Sequence, residues 1–339
     1  MPEPSRVAVT VLLVLAALTG CATGAARPPE EDAAKKSAGG SLSADHAASL
    51  ATLRKVDDHP LWTMRFTGGY DPFTPLDAPL PATGVGCSLF SAHGDPADPV
   101  FGRNFDYPRQ PALLLFTTPP SGHASVSMVD VSYLGVSSEQ DFATDAGRRA
   151  LLKAPLLPFD GMNAKGLVVG MATVPRWQPV HKPGRRTIGS VRVMRLVLDG
   201  AATVDEAVEI FGRHNIDTAD TPPLHYMVAD AEGRSAIIEF VDGEMVVRHG
   251  EGAWQAMVNF IDAGSTEKGR QDDPRYHRAD RTLRAAGGRL TPEQAMDLLS
   301  GLQQHHTQWS IVYGKKSGEV RLATGQKYHR VHRFHLPMG

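Results

Sequence analysis

The sequence predicts an α+β fold of antiparallel sheets covered by helices, on three observations. Strand signals arrive as hairpins: residues 224–229 join 235–240 across Asp230-Ala231-Glu232-Gly233, and 309–313 join 319–323 across Gly314-Lys315-Lys316-Ser317-Gly318. Helix signals are fewer and carry capping boxes, at Thr203-Val204-Asp205-Glu206 and Thr291-Pro292-Glu293-Gln294. Strand and helix patterns do not alternate throughout, as a parallel doubly wound sheet would require.

The elements follow in order. Arg6 precedes an apolar run over residues 7–18, shorter than the roughly 20 residues that span a bilayer, so residues 1–21 read as an export signal. Its end, Leu18-Thr19-Gly20-Cys21, resembles a bacterial lipobox, which implies lipidation of Cys21, a membrane anchor and a place on the extracytoplasmic face. Residues 22–43 are Ala, Gly, Pro, Ser and charge, the composition of a solvated tether. Residues 44–86 form a leader that should pack on the domain, with helical spacing of Leu50, Leu53 and Val56 over 44–56 and a strand over 61–66.

Residues 87–339 form the main domain. Further strands are expected over 124–133, where the pattern largely alternates, over the apolar run 166–174, and over 244–248 after the turn Phe240-Val241-Asp242-Gly243. Helices are expected over 190–198 and 276–286 by apolar spacing, and from the two capping boxes to about Arg213 and Gln303.

Composition narrows the function. The chain is 42% hydrophobic with a net charge of −2 and has no basic run, which argues for a globular domain acting on a small molecule and against nucleic acid. It has two Cys, and lipidation of Cys21 would leave Cys87 without a disulfide partner in an exported protein.

The surroundings of Cys87 make it a candidate nucleophile. Gly84-Val85-Gly86-Cys87-Ser88-Leu89-Phe90, then Gly94-Asp95-Pro96, then Val100 to Tyr107 reads as strand, turn, strand. Such a hairpin folds Arg103 and Asp106 back beside Cys87, where the two could alternatively be a plain structural ion pair. A papain-like nucleophile would open a long helix, which the Gly and Pro here forbid.

Cys87 with Arg103 sixteen and Asp106 nineteen residues later, in Gly-Arg-Asn-Phe-Asp, resembles the choloylglycine hydrolase and penicillin V acylase family of linear-amide hydrolases and its acyltransferase relatives. Asp160-Gly161-Met162-Asn163-Ala164-Lys165-Gly166-Leu167, His225-Tyr226-Met227-Val228-Ala229-Asp230, Val258-Asn259 and Arg275-Tyr276-His277-Arg278-Ala279 continue the likeness in the same order. It implies a four-layer αββα N-terminal-nucleophile fold, a chain cut between Gly86 and Cys87, and no cofactor. The freed Cys87 α-amine would serve as base for its own thiol. Asp106 would position that amine, Arg103 favour the thiolate, and Arg275 steady the network, although Arg278 and Arg281 lie close by on the same expected helix. The Asn259 amide and the Thr173 backbone N–H would stabilise an oxyanion.

Tyr107, Phe159, Val174 and Phe260 are expected to line an apolar and aromatic pocket for the acyl part of an N-acyl amide. Bile salts, penicillins, N-acyl amino acids, acyl-homoserine lactones and short peptides are all compatible with it. Relatives are often tetramers, so a homo-oligomer is a possible assembly. His329, His332 and His335, with His305-His306 upstream, carry no metal expectation, because spacing by three in a strand does not share a face. An acyltransferase, and a non-catalytic surface lipoprotein acting as a binding module, are the alternatives to an amidase.

Overall fold

The Ser43 hydroxyl accepts the His46 N–H and starts α1 (Ala44–Ala51), the first element of a computed structural model that describes residues 42–76, 86–179, 181–217 and 222–339. Cys21, the tether up to residue 41, and Gly84 and Val85 lie outside the described residues. Helical spacing predicts a helix through residue 56, but α1 stops at Ala51 and Val56 lies in β1 (Arg54–Asp57). Thr52 supplies the reason. Its hydroxyl donates to the Ser49 carbonyl at 2.6 Å and accepts the Arg65 N–H at 2.8 Å, which ends the helix and ties it to β2 (Leu61–Thr67).

β3 (Cys87–Ala92) and β4 (Val100–Asp106) form the expected hairpin, with Cys87 opposite Phe105 and Leu89 opposite Arg103. β5 (Ala112–Thr118) and β6 (Ser125–Asp130) follow. β6 ends earlier than residue 133 because the Asp130 carboxylate accepts the Ser132 N–H at 3.0 Å and caps a 3-10 turn over Val131–Leu134. The chain continues through α2 (Asp145–Ala150), β7 (Asp160–Asn163), β8 (Val168–Thr173), β9 (Thr187–Gly189), α3 (Arg192–Gly200), α4 (Val204–Gly212) and β10 (Asn215–Asp217). Then come β11 (Leu224–Ala229), β12 (Ser235–Val241), β13 (Glu244–His249) and β14 (Trp254–Met257). Last are α5 (Glu267–Gln271), α6 (Pro274–Ala285), α7 (Pro292–Leu302), β15 (Thr307–Gly314), β16 (Glu319–Thr324) and β17 (His332–His335). Both expected capping boxes are present, at Thr203 and Thr291.

The strands make a nine-stranded sheet, β1-β2-β5-β6-β7-β8-β11-β12-β13, and a six-stranded sheet, β14-β3-β4-β15-β16-β17. The expected antiparallel pairing prevails, but β2 pairs parallel with β5, and β9 with β10 in a small separate sheet. The first exception arises because the chain leaves β2 to build the β3–β4 hairpin in the six-stranded sheet and returns beside β2 in the same direction.

Four layers result. On the outer face of the larger sheet, Phe211 of α4 packs on Tyr226, and the Asn163 amide donates to the Leu198 and Ala201 carbonyls at the end of α3. The two sheets face each other across the main core, where Gly170 lies under Leu89; a Cβ there would stand 2.7 Å from the Leu89 Cδ2. Phe90 and Ala92, on the opposite face of β3, form a second core with Leu283 of α6 and Leu299 of α7. Because both sheets are covered on both faces, strands such as β3, β4 and β8 are buried along their whole length and show no in-out alternation.

Leu61, Met64 and Phe66 of β2 are at most 1% exposed. Each such side chain contributes roughly 1.5–3 kcal/mol, so residues 42–76 are an integral edge of the larger sheet. No helix among the described residues is long and apolar enough to cross a membrane.

Candidate active site

Cys87 is the first residue of β3 and is 2% exposed, with its side chain in the core between the sheets. Leu89 and Arg103 are paired across the hairpin, so one strand step brings the fully buried Arg103 guanidinium to Cys87, with Nη2 3.6 Å from Sγ. Nη2 also donates to the Met171 carbonyl at 3.0 Å, and Nη1 to the Phe159 carbonyl at 2.6 Å and to Asp160 Oδ2 at 2.5 Å. The ion-pair partner of Arg103 is therefore Asp160, not Asp106. Asp160 also accepts from Trp309 Nε1 at 3.2 Å and from the Tyr313 hydroxyl at 2.6 Å, which satisfies both carboxylate oxygens.

The end of β7 explains part of this geometry. Its ladder on β8 closes at the Asp160–Gly170 pair, and beyond it the Met171 and Thr173 carbonyls accept from side chains, Arg103 and Asn259 respectively.

Asp106 ends β4 opposite Thr307, whose hydroxyl donates to Asp106 Oδ1 at 2.5 Å. Asp106 Oδ2 is buried with no hydrogen-bond partner among the described residues, 3.9 Å from Arg275 Nη1, near enough for attraction but too far for a hydrogen bond. Burial pushes the Asp106 carboxyl up to about 6, against the Thr307 hydrogen bond and the Arg275 and Arg103 charges. The Asp106 backbone N–H donates to the Gly86 carbonyl at 3.0 Å.

Asn259 bridges Cys87 and β8. Its Oδ1 accepts the Cys87 N–H at 2.7 Å and Arg275 Nη1 at 2.9 Å, while Nδ2 donates to the Thr173 carbonyl at 2.8 Å and hydroxyl at 3.0 Å. Donors on one side and a carbonyl on the other fix the amide orientation. With the 86–87 peptide intact, Nδ2 is thus engaged by Thr173. Arg275 sits in the first turn of α6, capped by Asp273, and its Nη1 also donates to the Cys87 carbonyl at 3.1 Å. Of the four Arg on this helix it is the one at the site; Arg278, Arg281 and Arg284 are exposed.

Burial pushes the Cys87 thiol up, Arg103 pulls it down, and the Asp106 charge raises it again, for a net upward shift. Buried in a peptide, Cys87 is held mostly as a thiol beside a carbonyl that already accepts a hydrogen bond. This arrangement can support attack on that neighbouring carbonyl, with an N–H in place for the charge that would develop.

An aromatic wall adjoins the cysteine. Phe105 stacks on Trp309 at 4.0 Å, Phe159 meets Phe105 at 5.4 Å and Tyr133 at 5.0 Å, and Tyr133 lies 6.1 Å from Tyr107, to which it is hydrogen-bonded. Of the residues expected to line a pocket, Tyr107 and Phe159 belong to this wall. Phe260 instead packs edge-on against Tyr276 at 5.4 Å beside the second core, and the Val174 N–H is tied to the Pro223 carbonyl.

Asp160, Thr307 and Tyr133 had no assigned role in the sequence. Asp160 heads a segment already singled out, whereas Thr307 and Tyr133 carry no local signal. The C-terminal His residues are elsewhere: His332 Nε2 is 2.9 Å from Asp57, and His335 Nε2 is 3.1 Å from the Ser317 carbonyl.

The sequence model of the linear amide C–N hydrolases, choloylglycine hydrolase family, matches residues 87–260. Penicillin V acylase of Pectobacterium atrosepticum is 33% identical over 119 residues, 30% of this chain and 29% of that protein, so the likeness spans less than a third of the relative. A mutant conjugated bile acid hydrolase from Clostridium perfringens superposes with a TM-score of 0.53 at 14% identity, over 74% of this chain and 92% of that one. Penicillin V acylase from Agrobacterium tumefaciens gives 0.52 at 19% identity, over 74% and 86%. At such identities the structural likeness speaks for the fold, that of the N-terminal-nucleophile hydrolases.

Proposed function

The chain belongs to the choloylglycine hydrolase family of linear amide C–N hydrolases, and from that premise we propose that it is a cysteine-nucleophile amidase that matures by cutting itself between Gly86 and Cys87. One observation carries this: Arg103, Asn259 and Arg275 converge by hydrogen bonds on Cys87, and the Asp106 N–H on the carbonyl that precedes it.

In maturation the Cys87 Sγ adds to the Gly86 carbonyl, the C–N bond breaks, and the Cys87 nitrogen takes a proton as a thioester to Gly86 forms. Water then hydrolyses the thioester, leaving a Gly86 carboxylate and a free Cys87 amine and thiol. The Asp106 N–H supports the first step by stabilising negative charge on the Gly86 oxygen.

In turnover the new α-amine, with an ordinary pKa near 8, takes the thiol proton as Sγ attacks a substrate amide, then passes it to the departing amine. Water releases the acyl group from Cys87. Asp106 Oδ2, buried and without a hydrogen bond among the described residues, is the group suited to hold the new ammonium. The wall of Phe105, Tyr107, Tyr133 and Phe159 suits an aromatic or extended acyl group, so a phenoxyacetyl amide such as penicillin V is the first substrate to try.

Export and lipidation at Cys21 are part of the proposal, and loss of palmitate labelling in Cys21→Ser would test them. The central test is the intact mass and N-terminal sequence of wild type beside Cys87→Ala. A wild-type chain beginning at Cys87, with the variant whole, is the expected result; two whole, folded chains would favour a binding module.

A further inference from the structure

His225, on β11, is 1% exposed, and both of its ring nitrogens face acceptors. Nδ1 lies 2.9 Å from Glu239 Oε1 on β12, and Nε2 lies 2.8 Å from the Val258 carbonyl oxygen. A carbonyl cannot donate. Glu239, itself 3% exposed, also accepts the Asp262 N–H on Oε1 at 2.8 Å and the Ala263 N–H on Oε2 at 2.6 Å. Burial alone would raise the Glu239 carboxyl, but the His225 contact and the two backbone N–H groups hold it below its ordinary range, so it stands as a carboxylate. A neutral imidazole has one N–H and can satisfy only one of the two acceptors; the imidazolium satisfies both.

The groups pinned by this pair bracket one short segment. Val258 precedes Asn259, and Asp262 and Ala263 follow it, so residues 258–263 are held at both ends from β11 and β12. Asn259 is the residue that holds the Cys87 N–H. Resting on the proposed nucleophile role of Cys87, we propose that His225, doubly protonated between Glu239 and the Val258 carbonyl, is a positioning residue that sets Asn259 against Cys87. A ring carrying a single N–H can hold only one of the two anchors, which would leave the segment looser. The other charged groups around the pair are Asp262, Arg248 of β13, which is paired with Asp262, and Arg270 of α5, 3.9 Å from Asp262.

The test uses the full chain carrying Cys87→Ala, which stays whole whether or not wild type processes itself. Nitrogen-15 spectra should show both His225 ring nitrogens protonated at neutral pH. The residue-87 amide, capped by Asn259 Oδ1, should lose protection from hydrogen exchange in His225→Gln by on the order of tenfold or more, while amides of the β3–β4 ladder keep theirs. Glu239→Gln, which preserves shape, should do the same if His225→Gln does not fold. A singly protonated ring at neutral pH, or unchanged protection of the residue-87 amide, overturns the proposal. In the chain with Cys87 restored, self-cleavage should slow on the order of tenfold in His225→Gln, the scale expected when a reacting group is misplaced by a fraction of an ångström. A wild-type chain that never cleaves would count against the amidase reading, while the exchange result would still decide the role of His225.

Discussion

The Asp106 backbone N–H donates to the Gly86 carbonyl at 3.0 Å, while the Asp106 side chain reaches the other flank of the same peptide, 3.3 Å from where a Cβ on residue 86 would stand. Arg275 Nη1 would be 3.2 Å from that Cβ. One residue therefore both polarises the peptide before Cys87 and limits what can precede it.

Gly86→Ala is expected to crowd Asp106 and Arg275 by a few tenths of an ångström. At roughly 1–3 kcal/mol for such overpacking, self-cleavage should slow about ten- to a hundredfold, read from the mass of the chain over time after synthesis. Cleavage at the wild-type rate would show that the packing at residue 86 is not limiting.

Asp106→Asn should stabilise the uncut chain at neutral pH while abolishing activity. The folded carboxyl keeps its proton up to about 6, whereas the unfolded one releases it near 3.8, so the folded state binds more protons between these values and stability falls as pH rises across them. In the Cys87→Ala background, Asn at 106 should raise stability by about 2–3 kcal/mol at pH 8 and by little at pH 4, measured by urea unfolding.

Thr307→Val removes the hydrogen bond that favours the Asp106 carboxylate. The acidic limb of the pH profile for substrate turnover should move to higher pH, with the fold retained. A limb in its wild-type place would dissociate Asp106 from that titration.

Asp160→Ala should be among the most damaging substitutions in the chain, because it leaves the Arg103 guanidinium buried without its carboxylate. A loss of about 3–5 kcal/mol is expected in thermal or denaturant unfolding. Asp160→Asn should fall between this variant and wild type, since it keeps acceptor capacity for Tyr313 and Trp309 while losing the charge.

The strand β2 should hold residues 42–76 to the large fragment after cleavage. Asp57 adds a clasp, lying within 3.4 Å of Lys327, 3.7 Å of Arg330 and 2.9 Å of His332. Burial works against its charge, but the His59 N–H, His332 and Lys327 hold its carboxyl well below the usual range; its contribution is present above the unfolded value of 3.8 and is lost as pH falls below it. Size-exclusion chromatography should show the two fragments together at pH 7, with Asp57→Asn releasing the small one at a lower urea concentration than wild type.

What the sequence made legible was local. Cys87, Arg103 and Asp106 share one hairpin, so their spacing fixes their approach, and capping residues such as Thr203 and Thr291 mark helix starts without tertiary help. The partners of those residues were not legible. Asp106 meets Thr307 only through the register of β15 on β4, across a separation of 201 residues, and Arg103 meets Asp160 only because the two sheets face each other. Val56 shows the reverse case, in which helical spacing was overridden by the Thr52 hydroxyl and by pairing with β2. The doubly anchored His225 was present in the sequence as a motif, but its meaning depended on Val258, which belongs to the turn after a strand of the other sheet.

The parallel pairing of β2 with β5 bears on how this protein can be produced. A gene trimmed to begin at Cys87, so as to yield the nucleophile directly, would omit the strand that covers one side of β5. The seven residues paired with β2 would then present unsatisfied backbone groups along an uncovered strand edge, a template for joining copies of the chain edge to edge. Expression from Cys87 should therefore give aggregates, and supplying residues 42–76 as a separate polypeptide should restore solubility.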